Sequence, residues 1–257
     1  MYGSLLLEEN MGFEENKIEG RNAVLEAFRS GKTIDKLFVL DGCQDGPVKS
    51  ITREARKGDT IINYVTKERL DQISETGKHQ GVIAISAAYD YAEIEDIFEN
   101  AKKKGEAPFI IILDGIEDPH NLGAIIRTAN QAGAHGIIIP KRRAVGLTPT
   151  VARTSAGAIN YTPVAKVTNI TQTIKDLKDQ GMWFVCADMD GTPMYDLNLT
   201  GPIGLVIGNE GDGVSKLVKE NCDMIATIPM KGDIDSLNAS VATGVLAYEI
   251  VRQRLGK

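Results

Sequence analysis

Cysteine and aromatic residues are scarce in this chain of 257 residues, which holds three cysteines, one tryptophan and 5% aromatic residues in all. Cys43, Cys186 and Cys222 are widely spaced, odd in number and without a C-x-x-C pair. Neither a disulfide framework nor a zinc site is written into the sequence, and no metal partner is expected. Long apolar runs are missing too. No stretch approaches the ~20 residues of a membrane-spanning helix, and MYGSLLLEEN lacks the basic start and extended apolar segment of a secretory signal. The expectation is a cytoplasmic chain with no membrane partner. Also absent is an early G-x-G-x-x-G turn with an acid ending the second strand, which speaks against a nicotinamide-dependent oxidoreductase.

What is present is ordinary for a globular protein: 42% hydrophobic and 25% charged residues, enough for one large or two modest domains. The net charge of −6 excludes a uniformly basic surface. Any contact with a polyanion must therefore come from patches. Three local clusters qualify: Lys49, Arg53, Arg56 and Lys57; Lys102, Lys103 and Lys104; Lys141, Arg142 and Arg143. Each on its own also reads as a solvated helix face or loop.

Residues 1–15 carry four acids and no base, show no period, and are expected to form a mobile tail. From Ile18 a regular pattern begins. Ala23, Val24, Ala27 and Phe28 fall at helical spacing before Gly31, and Val48–Lys57 reads as a second helix. Strands are predicted at 37–40, 61–65 and 82–85. Residues 16–90 thus form a small α/β domain, and the charged stretch 91–106 is a linker with a helix ending in Lys-Lys-Lys-Gly.

From Pro108 apolar strands alternate with helices. Strands are predicted at 109–113, 136–139, 162–167, 182–187, 203–207 and 224–228, and helices at 119–132, 149–157, 169–180, 213–220 and 236–254. Such alternation means a parallel sheet covered on both faces. Its ligands bind in loops at the carboxyl ends of the strands, here those after Leu113, Ala187, Ile207 and Ile228.

Three of those loops carry unusual residues. In the first, Asp118-Pro119 is a helix start with a carboxylate cap and proline at the first position, and it leads to Asn121, Gly123 and Arg127. Leu122, Ile125, Ile126 and Ala129 make the buried stripe, with Arg127 beside it. The second loop, Gly208-Asn209-Glu210-Gly211-Asp212-Gly213, sets three glycines between a strand and a helix. That spacing suits close approach of a ligand to the backbone, and Glu210 has little packing purpose there. The third runs from Ile228 through Met230 to Ser236, Leu237, Asn238 and Ser240. Asp235 or Ser236 is the expected cap of the last helix, and Leu237, Val241, Val245 and Leu246 read as core positions.

In order and spacing, N-x-G-x-x-x-R (Asn121 to Arg127), G-N-E-G-x-G (Gly208 to Gly213) and I-P-M-x-G-x-x-x-S-L-N-x-S-V-A (Ile228 to Ala242) resemble the three motifs of the SpoU/TrmH family of the SPOUT superfamily. Ile18 to Ala27 and His79 to Ile83 resemble the ribosomal-protein-like RNA-binding domain of some members. Lys141 to Ala158 is similar to the branch that methylates a guanosine ribose of large-subunit rRNA.

The resemblance implies an α/β fold with a parallel-sheet SPOUT domain at 107–257, threaded into a deep trefoil knot, beside the small N-terminal α/β RNA-binding domain. It implies a homodimer, RNA as partner and S-adenosyl-L-methionine as cofactor. Gly208, Ile228 and Leu237 would line the cofactor pocket, with Asn209, Met230, Ala187 and Met189 around them. Arg127 matches the family arginine assigned to the ribose hydroxyl, and Asn121, Glu210, Ser236 and Asn238 would support it. A guanidinium rarely gives up its proton, so orienting the nucleotide and stabilising oxyanion charge is the easier role for Arg127. A tRNA 2′-O-methyltransferase, or a non-enzymatic ribosome-assembly protein that binds RNA, are the alternatives; the second predicts loss of Arg127, Asn121 or the glycine loop, and all are present.

Overall fold

A computed structural model describes residues 16–234 and 236–256. The expected tail 1–15 and the proposed cap Asp235 lie outside the described residues. The chain forms two compact units, the first holding the described residues through Asp90 with Gly146–Pro149, the second holding Tyr91–Val145 and the described residues from Thr150.

In the first unit the elements are β1 (Lys17–Glu19), α1 (Arg21–Arg29), β2 (Ile34–Leu40), α2 (Gly46–Lys57), β3 (Ile61–Val65), α3 (Lys67–Ile73) and β4 (Val82–Ser86). The sheet order is β1-β4-β2-β3. β2 and β3 run parallel, while β4 is antiparallel to both β1 and β2. Asp45 caps α2 by accepting a hydrogen bond from the Val48 amide at 3.1 Å, the device that leaves a helix start without orphan donors. Val24, Leu37, Val39, Val48, Ile51 and Val82 fill the core. The sequence reading missed β1 and α3. Both are too short to show a period, and α3 is announced only by Thr66, whose hydroxyl accepts from the Arg69 amide at 3.3 Å.

The second unit runs α4 (Ile94–Lys104), β5 (Phe109–Asp114), α5 (Pro119–Gln131), β6 (Gly136–Pro140), α6 (Pro149–Thr154), β7 (Val164–Val167), α7 (Ile170–Asp179), β8 (Trp183–Pro193), β9 (Ile203–Gly208), α8 (Lys216–Asn221), β10 (Met224–Thr227) and α9 (Ala239–Arg254). Its six strands lie in the order β10-β8-β9-β5-β6-β7, and every pairing is parallel. The central strands are buried end to end, Phe109–Leu113 and Ile203–Ile207 alike, as a sheet covered on both faces requires.

Element ends moved by a few residues. The helix read at 213–220 starts at Lys216 because the glycine turn runs on to Ser215, the helix read at 149–157 stops at Thr154, and the strand read at 224–228 stops at Thr227.

The last helix is corrected more deeply. It was expected over 236–254, capped by Asp235 or Ser236. It begins at Ala239, and Asn238 caps it, accepting from the Ser240 amide at 3.0 Å. Leu237 and Val241, expected in the core, are 38% and 49% exposed, and Val245 is half-buried; Leu246 alone of the four is buried. The buried face is instead Ala239, Thr243, Leu246, Ala247 and Ile250. Small residues at 239, 243 and 247 stand one above another on that face and let the helix approach its neighbours closely, which turns position 241 away.

Candidate active site

The site is built at the carboxyl end of the parallel sheet, where β5 and β9 lie side by side with Asp114 level with Gly208. Each strand continues into a loop, and side chains stitch the two loops together. The Ser215 amide donates to Asp114 Oδ2 at 2.8 Å. Asn209 Nδ2 donates to the Gly115 carbonyl at 3.0 Å.

The glycine turn is closed on itself. Asn209 N donates to Gly213 O at 3.2 Å and Gly213 N returns to Asn209 O at 2.9 Å. Asn209 Oδ1 accepts from the Gly211 amide at 2.7 Å and the Asp212 amide at 3.3 Å. Gly208 has no alternative here. A Cβ on it would stand 2.1 Å from Gly213 C and 2.2 Å from Val214 N, both backbone atoms. Gly123, in the first motif, serves packing: its Cβ would meet Thr154 Cβ at 2.6 Å.

The start of α5 behaves as the sequence predicts. Asp118 caps it, accepting from the His120 amide at 2.8 Å, with Pro119 at the first position. Asn121 sits in this first turn and is buried. Its Nδ2 donates to Glu210 Oε1, and its Oδ1 accepts from Asn238 Nδ2 at 3.0 Å. One asparagine thus joins the glycine loop to the start of the last helix. Asn238 Oδ1 in turn accepts from the Ser240 amide and from Ser240 Oγ at 2.6 Å. Three segments far apart in sequence meet in one polar chain.

Arg127 is exposed on α5 and makes no hydrogen bond or ion pair among the described residues. It stands six residues beyond Asn121, about 9 Å along the helix at ~1.5 Å per residue. Ser236 is exposed and also stands outside the chain of hydrogen bonds. Of the five proposed catalytic residues, Asn121, Glu210 and Asn238 are therefore joined directly.

The residues proposed for the cofactor lie on or just after three adjacent strands; β8 runs on to Pro193, so Ala187 and Met189 fall within it and not at its end as expected. Gly208 ends β9 and Asn209 follows it. Ala187 lies one residue past the rung that pairs Cys186 with Val206. Ile228 follows the last residue of β10, Thr227. β8 departs from its neighbour here: Ile225 pairs with Cys186 but Ala226 pairs with Thr192, so residues 187–191 swing out of the ladder. Ile228 and Met230 are half-buried, Leu237 is 38% and Met189 61% exposed. Half-buried apolar side chains beside backbone donors and acceptors are the chemistry that suits a flat heteroaromatic group with a polar tail.

The sequence reading missed a charged pair where β8 leaves the ladder. Lys219 Nζ lies 2.8 Å from Asp188 Oδ2. Burial works against the Asp188 charge, but hydrogen bonds from Lys219 and the Asp190 amide outweigh it and hold the carboxyl below its usual range. The same hydrogen bond raises the ammonium of Lys219. Only the acid within Ala187-Asp188-Met189 signalled it, and its cation comes from a separate helix.

Comparison with known proteins places this geometry. A model of the SpoU rRNA Methylase family matches residues 108–248, and one described as RNA 2′-O ribose methyltransferase substrate binding matches residues 17–92. YacO of Bacillus subtilis (strain 168), named for the TrmH family of tRNA/rRNA methyltransferases, is 48% identical over 246 residues, 95% of this chain and 98% of its own. Among solved structures, the SpoU methyltransferase AviRb from Streptomyces viridochromogenes in complex with the cofactor AdoMet shares the fold at a TM-score of 0.61 and 23% identity, over 99% of this chain and 100% of its own. The AdoMet-bound rRNA methyltransferase from Sinorhizobium meliloti does so at 0.59 and 24%, over 99% and 96%. With the motif residues meeting at one sheet end and a matching family model over most of the second unit, the chain belongs to the SpoU rRNA methylase family and is an RNA methyltransferase of the TrmH/SpoU type.

Proposed function

We propose that this protein transfers a methyl group from S-adenosyl-L-methionine to the ribose 2′-hydroxyl of a guanosine in large-subunit rRNA. The observation that carries the reading is the Glu210–Asn121–Asn238 chain, in which Asn121 joins three separate motifs in one place. Residues 16–90 are the RNA-binding domain, 91–106 a linker and 107–257 the methyltransferase domain in this reading. Support for the cofactor comes from the family and from the fold shared with AviRb.

When bound, S-adenosylmethionine supplies the methyl group on a positively charged sulfur. Gly208, Asn209, Ile228, Met230, Leu237, Ala187 and Met189 would hold it at the strand ends. Transfer then needs the 2′-oxygen in line and its developing negative charge stabilised. Arg127, exposed and without an anionic partner among the described residues, suits that task. A guanidinium does not accept a proton near neutral pH, so a base role would require an RNA phosphate to take part. In this reading Asn121, Glu210 and Asn238 hold in place the loops that frame the ribose, and the exposed Ser236 is left to hydrogen-bond the substrate.

Two further features belong to this reading. The second unit would be knotted, and the protein would act as a homodimer. Support for the dimer is the apolar stripe that the last helix leaves in solvent, Val241, Tyr248 and Leu255 at 49, 51 and 64% exposure. Sedimentation showing a monomer at micromolar concentration would remove it.

The substrate is tested by mapping 2′-O-methylation in total RNA from a strain lacking the gene. The expected result is one guanosine mark missing from large-subunit rRNA. A mark missing from tRNA with rRNA unchanged would favour the tRNA reading that the name of YacO also allows.

A further inference from the structure

The first unit carries a groove that the chemistry at the sheet end does not use. It has a volume of about 900 Å³ and lies between α2, the loop after β2 and the strand β3. Lys49, Arg53, Arg56 and Lys57 line it together with Tyr64 and Asp41. Positions 49, 53 and 56 follow helical spacing, so three of the cations stand on one stripe of α2, and 57 extends it. All four are exposed.

The charges here are only partly spent. Glu54 pairs with Lys57 at 3.0 Å and with Arg53 at 3.5 Å. Lys49 and Arg56 make no ion pair among the described residues. Opposite the stripe, β3 is the edge strand of its sheet. Tyr64 on this strand is 52% exposed, the one large hydrophobic side chain left in solvent among the described residues of the unit. An exposed ring beside a row of cations, in a chain whose net charge is −6, gives a local patch that can hold a polyanion although the molecule as a whole repels one.

We propose that this groove holds a single-stranded or looped segment of the RNA, with phosphates on Lys49, Arg53 and Arg56 and one base stacked on Tyr64. The proposal rests on the RNA methyltransferase reading and names the surface by which the first unit grips its substrate. Unpaired RNA is the fitting ligand because its bases are free to stack on aromatic rings, whereas the bases of a duplex are not. Gln44 and Asp41 at the same rim offer hydrogen-bonding groups for a base edge.

The test uses the full-length protein and large-subunit rRNA transcribed in vitro. Binding is measured against salt concentration for the wild type, for Arg53→Glu/Arg56→Glu, and for Lys102→Glu/Lys103→Glu. Both double variants shift the net charge equally, and the second changes exposed lysines on α4. The groove variant is expected to bind more weakly and to lose about 1.4 from the slope of log K against log salt, at about 0.7 per phosphate contact on a single strand. Tyr64→Ala is expected to lose about tenfold in affinity, the scale of one base stack, and Tyr64→Phe to keep it. Circular dichroism and S-adenosylmethionine affinity, both expected at wild-type values, exclude misfolding. If the groove variant keeps the wild-type affinity and slope, or the lysine control loses as much, the groove assignment falls while the methyltransferase reading stands. If the wild type itself fails to bind the transcript, the rRNA reading falls with it.

Discussion

The tightest contact in the site is the one behind Gly208, and it allows a quantitative test. In Gly208→Ala the new methyl would lie 2.1 Å from Gly213 C and 2.2 Å from Val214 N. Ordinary van der Waals contact begins near 3.4 Å, so the turn must retreat by about 3.4 − 2.1 = 1.3 Å. No rotamer change can relieve this, because both obstacles are backbone. The displaced turn is held by the Asn209–Gly213 bonds at 3.2 and 2.9 Å, which a movement of that size breaks. Two lost hydrogen bonds at about 0.5–1.5 kcal/mol each and overpacking of about 1–3 kcal/mol give a destabilisation of roughly 2–6 kcal/mol. Gly213→Ala is the matched control. Its Cβ meets nothing within 4 Å, but φ is +68°, a strain of about 1–2 kcal/mol for a residue with a side chain. Thermal unfolding and calorimetric titration with S-adenosylmethionine would read both. The expected order is a clear loss of stability and cofactor affinity for Gly208→Ala and a small loss for Gly213→Ala. Equal behaviour of the two variants would refute the reasoning.

Three other outcomes follow from the geometry. Arg127→Ala should abolish methyl transfer while leaving S-adenosylmethionine affinity near the wild-type value in calorimetry; collapse of cofactor binding would show that the arginine holds the cofactor instead. Asn121→Asp keeps the acceptor for Asn238 but replaces the donor to Glu210 with a like charge, so turnover should fall by about tenfold or more, the scale of one hydrogen bond to a charged group; unchanged turnover would remove the asparagine from the site. The third concerns His135, which is fully buried, with Nδ1 accepting from the Phe109 amide at 2.9 Å and Nε2 3.1 Å from Glu106. Burial, then the charge of Lys104, pushes its pKa down against the pull of Glu106. The folded protein therefore resists a proton that the unfolded chain accepts near pH 6.5. Its stabilising effect is complete above that pH and is lost as pH falls, by at most about 1.4 kcal/mol per pH unit. Chemical denaturation between pH 7.5 and 5.5 should show that slope in the wild type and a smaller one in His135→Asn, which retains an acceptor for Phe109. Identical slopes would count against it.

The legible parts of the fold were those where one local rule decides. Phe109–Leu113 and Ile203–Ile207 are apolar without interruption, and only a strand covered on both faces uses such a run. Asp118-Pro119 marks the start of α5 by capping alone. Reading failed where the sequence is apolar in every direction. In α9 both faces carry valine, leucine or alanine, so the period did not say which faces inward: Val241 was assigned to the wrong side, and Leu237 precedes the helix altogether. That the three motifs meet was legible through motif order, not through physics. Asn121 and Glu210 are 89 positions apart, Asn121 and Asn238 117, and nothing local in any of the three segments names its partners. Asp188 and Lys219 escaped notice for the same reason.

The structure also separates two kinds of residue that the motifs list side by side. Asn121, Asn209 and Asn238 have spent their hydrogen-bonding groups on Glu210, Gly115, the glycine turn and the start of α9. These side chains hold loops in place, and their value lies in rigidity. Arg127 and Ser236 have spent none among the described residues. An arginine left unpaired costs little while water surrounds it, whereas pairing it with a protein carboxylate would oblige an incoming polyanion to break that bond first. A rigid polar cluster and, further along the same helix, an arginine without an ion pair among the described residues fit a site whose ligand brings its own negative charge. In the proposed reading this division of labour lets Arg127 stand about 9 Å from Asn121 along α5: the asparagine would set where the loops stand, and the arginine would meet the RNA they admit.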